Sequence, residues 1–350
     1  MKNGHETIAV VAGGAGFIGS HLVDALLAKD MRVICIDNFR TGRLENLRHL
    51  EREPRFDLID ADIIDALPAK LMRAGRRPAY VFNLACAASP PHYQANPEHT
   101  LLTSVMGTHH LLLLTENAGA RFVQASTSEI YGDPEIHPQQ ESYWGHVNPT
   151  GPRACYDEGK RAAETLVFDF LRAKRGDARV ARIFNTYGPR MRADDGRVVS
   201  NVITQALAGD DITIYGSGEQ TRSFCYVDDL VRGLIALSLH EDSYQGAINL
   251  GNPKEIKVLE LARRVVRMTS ARSAIAFRPL PVDDPRRRKP DITLAQRVLK
   301  WRPVVPLEVG LSRTIEHFAA EAKAAAHLPT SWTPASRWAR SAAESGAAAS

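Results

Sequence analysis

Cysteine is scarce in this sequence: only Cys35, Cys86, Cys155 and Cys225 occur. They form no C-x-x-C pair and no metal-ligand spacing, which excludes a disulfide scaffold and a thiolate metal centre. A reducing, cytoplasmic compartment is the matching expectation, and no metal is expected. Long apolar runs are missing too: none approaches the roughly 18 residues of a membrane-spanning helix. Residues 1–6 are polar and the apolar run after them is short and glycine-interrupted, so no signal peptide is predicted. No internal repeat is present, and no block of like charge exceeds residues 286–289. Lys+Arg number 44 against 40 Asp+Glu, a net charge of +4. That excess is too weak to argue for nucleic acid, though it tolerates an anionic small molecule.

What is present is ordinary for a globular chain, with 44% hydrophobic and 24% charged residues over 350. At about 150 residues per domain the length predicts two folding units, or one large unit with a lobe. Short apolar runs at 8–12, 32–36, 56–59, 79–84, 121–125 and 179–184 read as strands. Helical patterns fall at 17–27, 97–118 and 154–173. This alternation predicts an α/β fold with a doubly wound parallel sheet, and Val, Ile and Leu in the strands suit burial on both faces. After about residue 188 the elements shorten: helices near 199–208 and 227–239, a strand at 212–215, a charged loop at 283–290 and a last helix at 307–326. Residues 1–188 are therefore expected to be mainly a Rossmann domain. Residues 189–328 should form mainly a smaller α/β lobe, with some segments interleaved, and 329–350, rich in Ala and Ser, a disordered tail.

Between the first strand and the first helix lies G-x-x-G-x-x-G, at Gly13, Gly16 and Gly19. Glycine lets a backbone turn this tightly and approach a pyrophosphate, while the helix N-terminus offers free N–H groups to the anion. Asp37 ends the second strand. A carboxylate there accepts hydrogen bonds from adenosine ribose hydroxyls and repels the extra phosphate of NADP, so NAD is the expected cofactor.

Tyr156 and Lys160 form Y-x-x-x-K at the start of a helix, and their spacing puts both side chains on one face. Such a pair is common on helix surfaces; here it follows a Rossmann half. A free tyrosine, with a pKa of about 10, is a poor base at neutral pH. A neighbouring ammonium and a positive nicotinamide both favour the phenolate, which could then remove a proton from a sugar hydroxyl. Thr127, at the end of a strand, is placed to share that hydrogen bond.

The glycine turn, Asp37, the block Ser126-Thr127-Ser128-Glu129-Ile130-Tyr131-Gly132 and the Tyr156/Lys160 pair resemble the extended short-chain dehydrogenase/reductase family, which acts on nucleotide sugars. Ala88-Ser89-Pro90-Pro91-His92-Tyr93, Tyr143-Trp144-Gly145-His146, Arg153-Ala154-Cys155-Tyr156-Asp157-Glu158-Gly159-Lys160 and Asn185-Thr186-Tyr187-Gly188-Pro189-Arg190 narrow the resemblance. Asp195-Gly196-Arg197-Val198-Val199-Ser200-Asn201, Gln220-Thr221-Arg222-Ser223-Phe224 and Arg288-Lys289-Pro290 narrow it further. These blocks are similar to the UDP-glucuronate decarboxylase (UDP-xylose synthase) branch, and the likeness covers about residues 8–320. Two positions depart from it: Asn83 stands where histidine is usual, and Ser104 where asparagine is common. The second could alter a helix kink or a water relay near the lysine.

The resemblance implies one site that runs three steps. Tyr156 takes the C4 hydroxyl proton of the sugar while NAD⁺ takes the hydride. The 4-ketone, β to the C6 carboxylate, holds the electrons released as CO₂ leaves. After protonation at C5, hydride returns and yields UDP-xylose with NAD⁺ regenerated. It also implies that Glu129 lies at the carboxylate end as acid/base or water positioner, and that Arg288 contacts the carboxylate or delivers the C5 proton. Cofactor contacts extend by resemblance to Phe17, Ile18, Asn38, Thr41, Gly42, Asp62, Ile63, Leu84 and Thr103. Substrate contacts extend to Ser89, Pro90, Tyr93, Asn185, Val199, Asn201, Gln205, Tyr215 and Arg222. Arg222 is the expected phosphate ligand, because guanidinium binds phosphate bidentately and stays charged; Tyr215 is expected near the uracil or ribose. A homodimer is implied, its subunits pairing through the helices at 97–118 and 154–173.

Other readings stay open at this point. A 4-epimerase needs no such glutamate but must let the ketosugar rotate, and an oxidative decarboxylase would release UDP-4-keto-pentose. A 4,6-dehydratase would carry an Asp-Glu pair where this chain has Ser128-Glu129, and serine is a poor acid. A silent NAD-binding sensor would have no need of Thr127, Tyr156 and Lys160.

Overall fold

A computed structural model describes residues 6–68, 71, 77–241, 244–280 and 287–327. The expected tail at 329–350 and residues 283–286 of the expected charged loop lie outside the described residues. The first half runs β1 (Ile8–Ala12), α1 (Phe17–Leu27), β2 (Arg32–Asp37), β3 (Phe56–Asp60), β4 (Tyr80–Asn83), α2 (Pro90–Ala95), α3 (Pro97–Leu102), α4 (Thr108–Ala118), β5 (Arg121–Thr127), α5 (Ala154–Arg172) and β6 (Asp177–Ile183). There follow β7 (Thr186–Tyr187), α6 (Val198–Ala208), β8 (Ile212–Tyr215), β9 (Thr221–Ser223), β10 (Cys225–Tyr226), α7 (Val227–Leu239) and β11 (Ala247–Leu250). The chain continues through β12 (Glu255–Lys257), α8 (Val258–Thr269), β13 (Ile275–Arg278), β14 (Arg287–Arg288), α9 (Thr293–Leu299) and α10 (Leu307–His327).

Seven strands make one parallel sheet in the order β11-β6-β5-β4-β1-β2-β3. The period-2 geometry of a strand divides β1 between two cores. Ala9 and Val11 pack with α1 and α7 on one face, and Ile8, Val10 and Ala12 pack with α4 and α5 on the other. Every residue of β1 is buried, and each large apolar side chain so covered contributes about 1.5–3 kcal/mol. The strand order reverses between β1 and β4. In such sheets the crevice beyond the strand C-termini at this point receives ligands.

The remaining described strands form three smaller sheets, β10-β7, β12-β9-β14 and β13-β8. β14 contains Arg287 and Arg288 and pairs in parallel with Thr221 and Arg222 of β9. The end of the expected loop is therefore a strand, which brings Arg288 back toward the Rossmann half.

The expected helix over 97–118 is not regular. Residues Thr103–Gly107 form a π turn between α3 and α4. Gly107 permits it to lie close to β3's following loop, where a Cβ would meet Ile63 Cδ1 at 2.3 Å. Ser104 belongs to this turn and packs against Gly159 of α5, whose Cβ would lie 3.1 Å from Ser104 Cβ. This turn therefore lies against α5 one residue from Lys160. Asn83, the other departure, is buried and satisfied: its Nδ2 donates to Thr108 Oγ1 and Gln124 Oε1, both at 3.0 Å.

Candidate active site

A cleft of about 330 Å³ opens at the switch point, lined from the glycine turn to Arg288. The turn is built from backbone crowding. Gly13 has φ +79°, and a Cβ there would lie 2.7 Å from the backbone of Leu84 and Ala85; one on Gly19 would lie 2.0 Å from Gly13 O. A Cβ on Gly16 would meet only Gly13 O, at 3.2 Å. The helix α1 therefore begins against bare backbone, with its N-terminal N–H groups facing the cleft.

Asp37 is buried at the end of β2. Its Oδ2 accepts from Ala15 N and its Oδ1 from Phe39 N, both at 2.9 Å. Burial pushes its carboxyl up, and these amides oppose the shift. Farther along, Asp62 Oδ2 accepts from Asn38 Nδ2 and pairs with His99 Nε2, both at 2.7 Å. Thr103 Oγ1 donates to His99 O at 2.7 Å. Phe17, Ile18, Thr41, Gly42, Ile63 and Leu84 complete this wall. A glycine cradle that a Cβ would fill, followed by a ribose-facing carboxylate, fits a dinucleotide. Gly19→Ala is expected to strain the turn by about 1–3 kcal/mol and to weaken NAD binding about 10- to 100-fold in a direct titration.

At the other end, Tyr156 sits in the first turn of α5, buried, and stacks on Tyr93 with centroids 5.1 Å apart and planes 4° from parallel. The Thr127 hydroxyl faces that of Tyr156 and lowers its phenol. Lys160, one turn on, reaches under the sheet: its Nζ donates to Ala125 O at 3.0 Å and lies 5.9 Å from the Tyr156 ring centroid. Burial pushes the Tyr156 phenol well above its ordinary value, and Cys86 and Glu129 add to this against Thr127 and Arg197. Burial also lowers Lys160. In the protein alone, burial is the largest influence on both groups, and it opposes the charged form of each.

Beside this pair is a buried ionic cluster. Glu129 Oε2 accepts from Arg153 Nη2 at 2.6 Å, and Oε1 accepts from Arg288 Nη1 at 3.3 Å. Burial raises the Glu129 carboxyl, but the two guanidiniums overcome it and hold it down at about 2. It stays ionised at physiological pH.

Of the expected substrate contacts, Ser89, Asn185, Glu129 and Arg288 line the cleft. The others stand apart from its lining. Pro90 opens α2, and Tyr93 is buried behind Tyr156. Val199 is in the core, and Asn201 donates to Gly196 O at 3.1 Å. Gln205 Oε1 accepts from Thr213 N at 3.0 Å. Tyr215 is half-exposed on β8, and Arg222 lies on β9 opposite Arg288, its Nη1 donating to Thr221 O at 2.9 Å. Four arginines without an assigned role line the cleft: Arg40, Arg190, Arg192 and Arg197. Arg190 pairs with Asp24 at 2.8 Å, Arg192 with Asp194 at 2.7 Å and Arg197 with Asp195 at 2.6 Å. Arg190 and Arg197 fall in the quoted blocks, whereas Arg40 and Arg192 fall in neither.

The model of the NAD dependent epimerase/dehydratase family matches residues 9–251. UDP-glucuronic acid decarboxylase 1 of Danio rerio is 50% identical over 312 residues, 89% of this chain and 72% of that protein. UDP-glucuronic acid decarboxylase 1 of Arabidopsis thaliana is 52% identical over 309 residues, 88% of this chain and 69% of that protein. Among solved structures, UDP-glucuronic acid 4-epimerase of Bacillus cereus, in complex with UDP-glucuronic acid and NAD, superposes with a TM-score of 0.81 at 27% identity. That match covers 90% of this chain and all of the other. The chain belongs to the NAD dependent epimerase/dehydratase family, within its UDP-glucuronic acid decarboxylase branch.

Proposed function

We propose that this chain is a UDP-glucuronate decarboxylase that forms UDP-xylose through a 4-keto intermediate, with NAD⁺ regenerated in each turnover. The observation that carries the reading is Glu129, ionised and gripped by Arg153 and Arg288 beside the Tyr156–Thr127 hydroxyl pair. NAD, when bound, accepts the C4 hydride and returns it. Gly13, Gly16 and Gly19 hold its pyrophosphate, and Asp37 its ribose. Tyr156 moves the C4 hydroxyl proton, and Thr127 shares the hydrogen bond on that oxygen. Lys160 fixes the floor of the site through Ala125 O. Arg288 meets the C6 carboxylate, and Glu129 orients the acid or water that protonates C5. Arg190, Arg192, Arg197 and Arg222 supply positive charge for the diphosphate.

The likeness to the Bacillus cereus 4-epimerase supports a second reading, return of hydride to the other face without loss of carbon. Carboxyl-labelled UDP-glucuronate separates the two. The decarboxylase reading expects labelled CO₂ with no net NADH; full retention of label in the sugar nucleotide rejects it.

The same reading makes the protein a cytoplasmic homodimer. Leu101, Leu102 and Met106 in the first half of the interrupted helix are exposed, which supports an interface there. No helix among the described residues is long and apolar enough to cross a membrane. A monomer in sedimentation would overturn the dimer.

A further inference from the structure

Asp157 follows the catalytic tyrosine, and the mechanism above gives it no task. It is buried on α5, beside the Glu129 carboxyl that helps to raise it. Two neighbouring buried carboxyls favour keeping one proton between them, since their like charges repel where water does not screen them. The surroundings say which one carries it. Glu129 uses both oxygens on guanidiniums, at 2.6 Å from Arg153 and 3.3 Å from Arg288. Asp157 Oδ1 is buried with no hydrogen-bond partner among the described residues, a costly position for a charged oxygen and a tolerable one for the carbonyl of a neutral acid.

We propose that Asp157 is a positioning residue that stays protonated and donates to Glu129, so that two guanidiniums face one negative charge and the site keeps a positive excess for the carboxylate of its substrate. The inference rests on the decarboxylase reading. The ionisable groups facing Asp157 are Arg153 and Cys155 at the start of its own helix, Glu129 from the turn after β5, Tyr93 from α2 and Arg288 from β14. Burial, and then the Glu129 charge, push the Asp157 carboxyl up to about 8, with Arg153 and Arg288 opposing. Its ionisation would neutralise the cluster and set two carboxylates against an incoming third.

The test compares the NAD-loaded wild type with Asp157→Asn, which keeps the shape, the neutrality and a donor to Glu129. In the wild type, the KM for UDP-glucuronate is expected to rise about tenfold per pH unit above the titration of the pair, while UDP-xylose, which has no carboxylate, binds independently of pH. In Asp157→Asn the alkaline rise of KM disappears and kcat at neutral pH stays within about threefold. The same alkaline rise in both proteins overturns the inference; a wild type that does not turn over UDP-glucuronate overturns the reading beneath it. If the variant fails to fold, the infrared spectrum of the wild type decides. A buried protonated-carboxyl stretch present at neutral pH and lost on alkaline titration supports the assignment, and its absence at neutral pH refutes it.

Discussion

Tyr156→Phe is expected to lower kcat by about 10²–10⁴-fold, the usual range for removal of a positioned proton carrier, while NAD binding is unchanged. The substitution removes a single oxygen. The stack on Tyr93 depends on the ring alone, so packing at this point is kept. Its neighbours among the described residues are poor substitutes as a base for the same proton, and two guanidiniums hold the Glu129 carboxylate well below its ordinary value. Lys160 Nζ donates to Ala125 O, and Thr127 carries only a hydroxyl, a very weak base. Burial holds the Tyr156 phenol well above its ordinary value in the protein alone, so its use as a base depends on a positive charge arriving with the oxidised cofactor. Single-turnover measurement of NADH formation, with NAD affinity titrated in parallel, checks the result. Unchanged turnover refutes the assignment.

Glu129→Gln is expected to be the second large effect, and to act on two quantities together. Removing the carboxylate leaves Arg153 and Arg288 buried against a neutral group; breaking one side of such a pair costs about 3–5 kcal/mol of stability. Thermal unfolding reads that loss. The pH dependence has a definite sign. The folded carboxyl lies at about 2, below its ordinary value, so its stabilisation is complete above the ordinary carboxylate value and is lost as pH falls toward 2. The variant should lack that acid-side loss. In catalysis, CO₂ release should fall by about 10²–10⁴-fold, with C4 oxidation still detectable as transient NADH because the Tyr156–Thr127 pair is intact. Wild-type rates of CO₂ release in the variant would remove Glu129 from the reaction.

Legibility in the sequence followed the range of the interactions. The glycine turn and Asp37 are separated by one strand, and the constraints that define them are local: a positive φ, a helix start, a strand end. Tyr156 and Lys160 are one helical turn apart, so their spacing alone aligned them. Glu129 and Arg288 are 159 residues apart, and only the resemblance, not spacing, linked them. The role of Arg153 in holding Glu129, the place of Asp157 beside it and the cleft positions of Arg190, Arg192 and Arg197 came from three-dimensional packing that no periodicity carries. Short strands were missed for the same reason. β7, β10 and β14 are two residues each and exist through their pairing, and β11 joins the large sheet beside β6 although it has only four residues. The helix over 97–118 reads as continuous in its apolar pattern; the π turn, where Gly107 sits close over Ile63 and Ser104 against Gly159, leaves no mark on that pattern.

The central claim is that one site oxidises C4, releases CO₂ from C5 and reduces C4 again. Proton NMR of UDP-glucuronate, NAD and the purified protein in deuterated water tests it most directly. The account predicts UDP-xylose as the accumulating product with deuterium at C5, taken up when the enolate is protonated. Accumulation of UDP-galacturonate with its carboxyl intact would contradict the account, as would a 4-keto pentose formed with stoichiometric NADH.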